Sequence, residues 1–251
     1  MQTRPRYASD PMAIIVLQHS DICGAGRLGM TLRDHGFKMD IRRVHAGDRV
    51  PTDFEGVDGV VSLGGPQNVG EDHPFMEREY AFLKEAHERQ LPVVGICLGA
   101  QMIAHALGGE VAKMAAPEVG FPAMDIGPVG QTDTILAGVA WRSHQFQAHG
   151  YEVTKLPAGA TLLASSAKCK VQAFRAGMRT YGFQFHPECD KGMARAIATD
   201  SAEFLHSAGL TKDEFEKQMA AHYDEFARLS DRMCVNISTA LIPRYASAVR
   251  V

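Results

Sequence analysis

Apolar runs and helix-forming segments alternate through the first hundred residues of the chain. The predicted strands cover residues 12–17, 37–44, 57–63 and 93–96. The predicted helices between them cover residues 27–35 and 74–90. A β-α-β-α order is typical of a parallel sheet that is covered by helices on both faces. This half of the chain therefore predicts an α/β fold with a central, mainly parallel sheet.

The pattern changes after the glycine pair at residues 108–109. Shorter strand-like segments follow at close spacing, over residues 109–113, 121–126, 161–164, 170–175 and 178–185. Short strands at close spacing indicate antiparallel hairpins, so we expect them at the edge or the end of the sheet. No linker rich in proline, glycine or serine interrupts the chain, and no segment repeats. This favours one domain over residues 12–209.

Residues 190–233 show a helical pattern again. Thr211 and Glu214 have the spacing of a capping box, which predicts the start of a helix. Apolar residues then recur at helical spacing: Phe215, Met219, Tyr223, Phe226, Leu229 and Met233. We interpret this stripe as the packing face of a helical C-terminal extension over residues 210–251, and a dimer or partner surface is the alternative. Residues 1–11 are polar and predict a flexible tail.

Composition and charge narrow the class of protein. The hydrophobic fraction of 45% and the charged fraction of 22% are those of an ordinary soluble globular protein. The net charge of −3 gives no reason to expect nucleic acid or an anionic membrane as a partner, and no apolar run is long enough to span a bilayer. Widely spaced cysteines without a CxxC pair argue against a disulfide scaffold and predict a cytoplasmic location. These residues are Cys23, Cys97, Cys169, Cys189 and Cys234.

One cysteine differs from the others in its surroundings. Cys97 lies between Gly95 and Gly99, directly after the predicted strand 93–96 and before a helix-forming segment, residues 98–107. A strand, a sharp turn and a helix form a nucleophile elbow, in which glycines let the backbone take a strained turn. The N-terminus of the helix favours a thiolate over a thiol. We therefore predict that Cys97 is a nucleophile.

A thiolate that attacks a carbonyl also requires a base and an orienting acid. His186 follows the alternating pattern of residues 178–185. A strand here, beside the one that ends at Ile96, would bring the imidazole to the edge where Cys97 lies. Glu188 can then orient the ring. Without the cysteine motif, His186 would be interpreted as an ordinary surface histidine beside a proline. If His186 does not reach Cys97, the alternative is a non-catalytic binding protein with this fold.

The oxyanion hole requires two N–H donors. The backbone N–H of Leu98 is the expected first donor, because this residue follows the nucleophile. Gly65 is the candidate for the second, because the segment SLGGP, residues 62–66, ends a predicted strand with two glycines that allow close approach to a substrate. A plain strand-ending turn is the alternative for this segment.

Three segments together resemble the signature motifs of class I glutamine amidotransferases: GICLGAQ at 95–101, SLGGP at 62–66 and HPE at 186–188. Weaker motifs at 46–48, 118–120 and 156–159 are similar to those of stand-alone members and of the amidase part of GMP synthase. The resemblance implies a flavodoxin-like three-layer sandwich. It also implies a Cys97–His186–Glu188 triad that hydrolyses the side-chain amide of glutamine through a γ-glutamyl thioester. The substrate-binding positions that it implies are Gly64, Gln101, His149 and Tyr151.

The sequence departs from this family in two places. It contains no Ser-Gly-Gly-x-Asp-Ser loop for ATP pyrophosphate, so an ammonia-accepting synthase would be a separate protein. Members similar to GMP synthase usually carry Ser-His-Gly-Asp where this chain has Ala148-His149-Gly150-Tyr151. Because tyrosine cannot pair with an ammonium group as a carboxylate does, we hypothesise that a γ-glutamyl amide or peptide is preferred over free glutamine.

Other patterns suggest competing functions. Residues 24–29 have the sequence GAGRLG, which matches the GxGxxG pattern of NAD(P)-binding oxidoreductases. Several residues separate it from the preceding strand, however, and the second strand does not end in an acidic residue. A zinc site could be imagined from Cys97, His144, His149, His186 and Cys189, but the spacing of these residues does not favour it. We expect no cofactor and no metal. For His144 and Gln145, two interpretations are equally consistent with the sequence: they line the pocket, or they lie in an exposed loop.

Overall fold

The computed structural model describes residues 13–200 and 202–242, and the tail predicted for residues 1–11 lies outside them. The strands are β1 (Ala13–Gln18), β2 (Lys38–Arg43), β3 (Val57–Ser62), β4 (Val93–Ile96), β5 (Glu110–Gly120), β6 (Ala123–Ile126), β7 (Arg142–His144), β8 (Gln147–Lys155), β9 (Thr161–Ser166), β10 (Ala173–Ala176) and β11 (Thr180–Phe183). The α-helices are α1 (Gly26–Asp34), α2 (Met76–Glu88), α3 (Leu98–Ala106), α4 (Lys191–Thr199), α5 (Ala202–Ser207) and α6 (Lys212–Asn236). None of these helices is long and apolar enough to cross a membrane.

A nine-stranded sheet in the order β2-β1-β3-β4-β11-β10-β9-β6-β7 forms the centre of the described structure. The strands from β2 to β11 in this order run parallel to one another. Strands β10, β9, β6 and β7 continue the sheet on one side with antiparallel pairing. The prediction of a central, mainly parallel sheet with antiparallel strands added to it is confirmed.

Helices cover both faces of the sheet. Successive residues of β1 point to opposite faces, as the two-residue period of a strand requires: Ile14 and Val16 join one apolar cluster, and Ile15 and Leu17 join the other. Side chains of α1 and α6 complete the first cluster, and those of α2 and α3 complete the second. The result is the predicted three-layer sandwich.

The second half of the chain contains strands that the sequence pattern does not predict. β5 continues to Gly120 instead of ending at residue 113, and it pairs with β8 in a separate two-stranded antiparallel sheet. The pattern misses β8 because two of its buried positions, Gln147 and His149, are polar. β11 ends at Phe183, before the predicted end at residue 185, so the chain leaves the sheet just ahead of the predicted base.

The long helix α6 is part of the core. Its predicted capping box is present, with the Thr211 side chain accepting from the Glu214 N–H and the Glu214 carboxylate accepting from the Thr211 N–H. All six residues of the predicted apolar stripe are buried, against the sheet or in a third cluster with Phe121 and Phe146. The chain itself therefore covers this stripe. The domain boundary at residue 209 and a homodimer stay predictions.

Candidate active site

Cys97 occupies a sharp turn between β4 and α3. Its φ of 51° and ψ of −107° lie where residues other than glycine are rarely found, and its N–H donates to the Phe183 carbonyl at 2.8 Å. Gly99 lets the start of α3 approach β3, because a Cβ at this position would overlap with the Ser62 backbone. The structure thus contains the strand, strained turn and helix that the sequence predicts.

The parallel pairing of β4 and β11 brings His186 to Cys97. Both strands end at the same edge of the sheet, where His186 Nδ1 lies 2.8 Å from Glu188 Oε1 and both side chains are buried. Gly64 lies against the histidine and the cysteine. A Cβ at Gly64 would lie 2.9 Å from His186 Cε1 and 3.5 Å from Cys97 Cβ. The three predicted triad residues are therefore brought together, and position 64 leaves room for the imidazole because it is glycine.

The imidazole of His186 is arranged to carry and to donate a proton. Its Nδ1–H donates to Glu188, while Nε2 is buried and has no hydrogen-bond partner among the described residues. Burial of the ring opposes its positive charge, but the negative charges of Glu188 and of a Cys97 thiolate outweigh this effect and raise the pKa of His186 well above its usual value. A histidine in this environment can take the proton of the Cys97 thiol and hold it as an imidazolium.

The other four cysteines are free, buried thiols. Burial raises the pKa of Cys23 to about 11. Burial also holds the pKa values of Cys169, Cys189 and Cys234 far above the usual value for a thiol. These four side chains are protonated near neutral pH, so a reagent that attacks thiolates should select Cys97.

Gly65 and Leu98 border the same cavity as Cys97. Leu98 is the first residue of α3, where a backbone N–H has no partner within the helix. Among the described residues, neither the Leu98 N–H nor the Gly65 N–H donates to another backbone group. Two free N–H groups beside a nucleophile are suited to bind a developing oxyanion. Their predicted role remains a prediction.

A cavity of about 860 Å³ opens at the carboxyl ends of the parallel strands. Most of the predicted site residues line it: Gly65, Cys97, Leu98, Gln101, His149, Tyr151 and His186. Gly64 and Glu188 instead contact the His186 ring, which places them behind the cavity wall. The outer wall is formed by residues of β5, α4 and α5. The predicted residues thus share one site.

The Tyr151 carbonyl anchors two of the predicted substrate-binding side chains. It accepts hydrogen bonds from Gln101 Nε2 at 2.9 Å and from His149 Nδ1 at 3.0 Å. Gln101 Nε2 also donates to Gln184 at 3.0 Å. These bonds hold β8 against α3 and leave the Tyr151 side chain lining the cavity. Contact of these residues with a substrate stays a prediction.

A buried polar cluster behind β8 contains residues that sequence reasoning does not single out. Glu118 accepts from Ser166 Oγ at 3.0 Å and from Gln172 Nε2 at 2.7 Å. It also lies 3.3 Å from His149 Nε2. Glu118 belongs to one of the weaker motifs, but its partners lie far away along the chain. No local spacing could therefore have revealed the cluster.

The GxGxxG segment packs against the loop that carries the acidic triad residue. The Arg27 N–H donates to the Glu188 carbonyl at 2.8 Å, and a Cβ on Gly26 would overlap with that carbonyl. The Arg27 side chain donates to three further groups, namely the Cys189 carbonyl, the Tyr223 hydroxyl and the Asp231 carboxylate. These contacts account for a glycine at position 26 without a dinucleotide.

The remaining candidate side chains lie elsewhere. His144 stacks on His222 of α6 with ring centroids 3.8 Å apart, and Gln145 is fully buried; neither lines the cavity. In the described part of the chain, one group of potential metal ligands lies within 4.8 Å: His186, Glu188 and Cys189. The first two already share a hydrogen bond and the third is a protonated thiol, a combination that does not suit a metal centre.

Comparisons with known proteins agree on one family. A family model described as glutamine amidotransferase class-I matches residues 27–200. The chain is 39% identical to a glutamine-hydrolyzing GMP synthase subunit of Saccharolobus solfataricus over 132 residues, which cover 52% of this chain and 67% of the relative. It is 29% identical to a glutamine amidotransferase-like protein of Salmonella typhimurium over 202 residues, which cover 78% of this chain and 84% of the relative.

Solved structures share the fold. A glutamine amido transferase from Methylobacillus flagellatus has a TM-score of 0.81 at 24% identity, over 90% of this chain and 94% of that chain. A glutamine amidotransferase from Thermotoga maritima has a TM-score of 0.79 at 23% identity, over 91% of this chain and 99% of that chain. These likenesses show that the fold is shared over about nine-tenths of this chain.

Proposed function

Because the chain belongs to the class I glutamine amidotransferase family, we propose that it is an amidase that hydrolyses the γ-amide of glutamine or of a γ-glutamyl compound. The observation that carries the proposal is the buried group of Cys97, His186 and Glu188. Its cysteine lies on a strained elbow, and its imidazole bonds a carboxylate through Nδ1 while Nε2 has no protein partner among the described residues. This is the constellation that nucleophilic attack on an amide requires.

The reaction proceeds in two halves. The Cys97 thiolate attacks the γ-carbonyl carbon, and the N–H groups of Gly65 and Leu98 bind the oxyanion. His186 gives its Nε2 proton to the departing nitrogen as the C–N bond breaks, which leaves a γ-glutamyl thioester and releases ammonia or an amine. His186 then takes a proton from water, the resulting hydroxide attacks the thioester, and glutamate departs as the thiolate is restored. Glu188 accepts the Nδ1–H of His186 and orients the ring.

The cavity supports a substrate larger than free glutamine. Its volume of about 860 Å³ lies high in the range of about 300–1,000 Å³ that is usual for ligand sites. Residues of α4 and α5 line the same cavity as Cys97, and we assign the space beside them to the substituent of a leaving amine. Tyr151 lines the cavity and offers no carboxylate to an ammonium group. Because this ammonium group is common to free glutamine and γ-glutamyl compounds, the preference for a γ-glutamyl amide or peptide rests on the volume available to its leaving amine.

A second candidate function is that of a glutaminase component that supplies ammonia to a separate synthase. The similarity to the GMP synthase subunit of Saccharolobus solfataricus favours it. The chain is also 35% identical to the GMP synthase of Leifsonia xyli over 159 residues. The match covers 30% of that synthase. In this case free glutamine is the substrate, and its hydrolysis depends on the synthase.

Glutamate release by the purified chain tests the proposal. The panel contains free glutamine, γ-glutamyl amides and γ-glutamyl dipeptides that differ in the leaving amine. We expect hydrolysis without a partner protein, fastest for a substituted γ-glutamyl amide, and no turnover by Cys97→Ala. Tyr151→Asp should raise kcat/KM for every member of the panel, because it restores a carboxylate that can pair with the α-ammonium group that free glutamine and γ-glutamyl compounds share.

Each contradicting result has its own meaning. Hydrolysis that persists in Cys97→Ala would overturn the proposed nucleophile. Free glutamine as by far the best substrate would contradict the preference for a γ-glutamyl amide or peptide and leave the amidase activity in place. If Cys97 is alkylated but no amide is cleaved, the synthase-dependent glutaminase becomes the better assignment.

A further inference from the structure

A buried polar group lies beneath the glycine turn, residues 63–66, and takes no part in the steps above. His19 follows β1, Glu79 belongs to α2 and Ser62 ends β3, and all three are fully buried. His19 Nε2 lies 2.9 Å and 3.1 Å from the two carboxylate oxygens of Glu79. The Ser62 hydroxyl donates to the same carboxylate at 2.7 Å. The imidazole is thereby held from one side.

The other ring nitrogen of His19 faces the turn. Its Nδ1 lies 3.0 Å from the Leu63 carbonyl, to which it donates a hydrogen bond. The same carbonyl accepts the Gly99 N–H at 3.1 Å. Gly65 lies two residues after Leu63, and Leu98 directly precedes Gly99. The Leu63 carbonyl oxygen therefore links the turn that carries the Gly65 N–H to helix α3, which carries the Leu98 N–H.

His19 also lies in direct contact with the turn. A Cβ at Gly65 would lie 2.5 Å from His19 Cβ and 2.5 Å from Gln67 Oε1, and Gln67 Nε2 donates to the His19 carbonyl at 3.0 Å. A buried contact between an imidazole and a carboxylate adds little net stability, because the loss of hydration offsets the attraction between the two groups. The placement of this pair beneath the turn points to a geometric role instead.

Building on the proposed amidase function, we propose that His19 is a positioning residue for the oxyanion hole. Its Nδ1–H holds the Leu63 carbonyl and thereby fixes the N–H groups of Gly65 and Leu98 relative to each other. Glu79 and Ser62 keep the imidazole in this orientation. His19 itself touches neither the substrate nor the reacting atoms.

Two substitutions separate the functions of the ring nitrogens. The amide of His19→Asn can reproduce the bond from Nδ1 to Leu63, whereas the amide of His19→Gln can reproduce only the bond from Nε2 to Glu79. We expect His19→Gln to lower kcat about 10- to 100-fold with little change in KM, on the scale of a displaced oxyanion donor. His19→Asn should retain kcat near that of the wild type and lose thermal stability.

Three further readouts distinguish a displaced oxyanion hole from a general loss of structure in the His19 variants. Alkylation of Cys97 by iodoacetamide involves no oxyanion, so its rate should be unchanged in His19→Gln. Asn236→Ala is the matched control, because Asn236 Nδ2 donates to the Ile135 and Ala137 carbonyls at 3.0 Å and 2.9 Å, away from the cavity. It should lower Tm but not kcat. In protein labelled with 15N-glycine, the Gly65 amide resonance should shift in His19→Gln and not in His19→Asn.

The inference fails if His19→Gln retains the kcat of the wild type, or if its kcat and its alkylation rate fall together. If His19→Gln does not fold, the test depends on His19→Asn. A loss of kcat in His19→Asn, with the rate of Cys97 alkylation unaltered, would then overturn the inference. If the wild type is alkylated but cleaves no amide, the proposed function fails. The Gly65 resonance still decides the role of His19 in that case.

Discussion

Glu188 influences the chemistry through its hydrogen bond with His186, and the Cys189 thiol donates a longer one, at 3.8 Å, to the same oxygen. Its Oε1 accepts the Nδ1–H of His186, and the carboxylate is fully buried. Among the described residues its Oε2 has no hydrogen-bond partner. A buried carboxylate is costly unless a positive charge lies beside it. The pair therefore keeps a proton on His186 at a pH where a free histidine would have lost it.

Glu188→Gln should lower the pKa of His186, because it removes a negative charge that raises this value. The imidazolium protonates the leaving amine, so the alkaline limb of the pH profile of kcat/KM should move to lower pH. We expect kcat to fall about 100-fold, the lower end of the usual range for general acid–base catalysis. Glu216→Gln, which alters an exposed pair with Arg195, is the control and should leave the profile unchanged. An alkaline limb that does not move would contradict this account of the triad.

The triad residues could be predicted because their signals are local. Cys97 has glycines on both sides, and Glu188 lies two residues after His186. The partner of His19 lies in α2, 60 residues further along the chain, and no local pattern connects the two. Only the fold shows that a glycine at position 64 leaves room for the imidazole.

The order of the strands assembles the site. β3, β4 and β11 are neighbours in the sheet, and all three run parallel. The segments that follow them carry Gly65, Cys97 and His186 respectively. Because parallel strands end at one edge of the sheet, three segments that are distant in sequence meet there.

Gly99→Ala should disrupt this assembly at the contact between α3 and β3. A Cβ at position 99 would overlap with the Ser62 backbone, which can move only together with β3. We expect a loss of about 1–3 kcal/mol in the free energy of unfolding, as for other overpacked sites, and a larger loss of hydrolysis because the elbow shifts. Gly24→Ala is the control, since a Cβ there meets nothing within 4 Å. Thermal unfolding and the rate of glutamate release measure both effects, and full activity in Gly99→Ala would contradict the prediction.

Three of the parallel strands, β1, β3 and β4, could be predicted because their apolar runs are short and mostly buried. The predicted strand 93–96 agrees with β4, and the predicted strand 57–63 exceeds β3 by one residue. β8 could not be predicted in this way, because its buried positions include Gln147 and His149. Gln147 donates to Gln172 and His149 lies beside Glu118, and both of these partners come from other segments, so the burial of the two side chains depends on the complete fold.

At the scale of the whole molecule, α6 supports both the sheet and the triad loop. Leu229 and Met233 belong to the apolar cluster under the sheet. Asp231 binds the Arg27 side chain, which also donates to the Cys189 carbonyl beside the triad. The sequence predicts the apolar stripe of this helix but not what the stripe covers, because that depends on packing between distant segments.

A chain that ends at residue 209 should therefore fail to fold. Each large apolar side chain of the stripe contributes about 1.5–3 kcal/mol when fully buried. The six together are comparable to the about 5–15 kcal/mol by which a typical domain is stable. We expect the truncated chain to show no cooperative unfolding and no selective alkylation of Cys97.

A matched pair of single substitutions in α6 tests the same point in the full-length chain. Phe226→Ala, at a fully buried position, should lower the free energy of unfolding by about 3–5 kcal/mol. Glu225→Ala, at the neighbouring exposed position, should leave it unchanged. Denaturant unfolding measures both variants. Cooperative folding and amide hydrolysis by residues 1–209 would instead mean that the helix is a separable extension, and the division at residue 209 would then mark a true domain boundary.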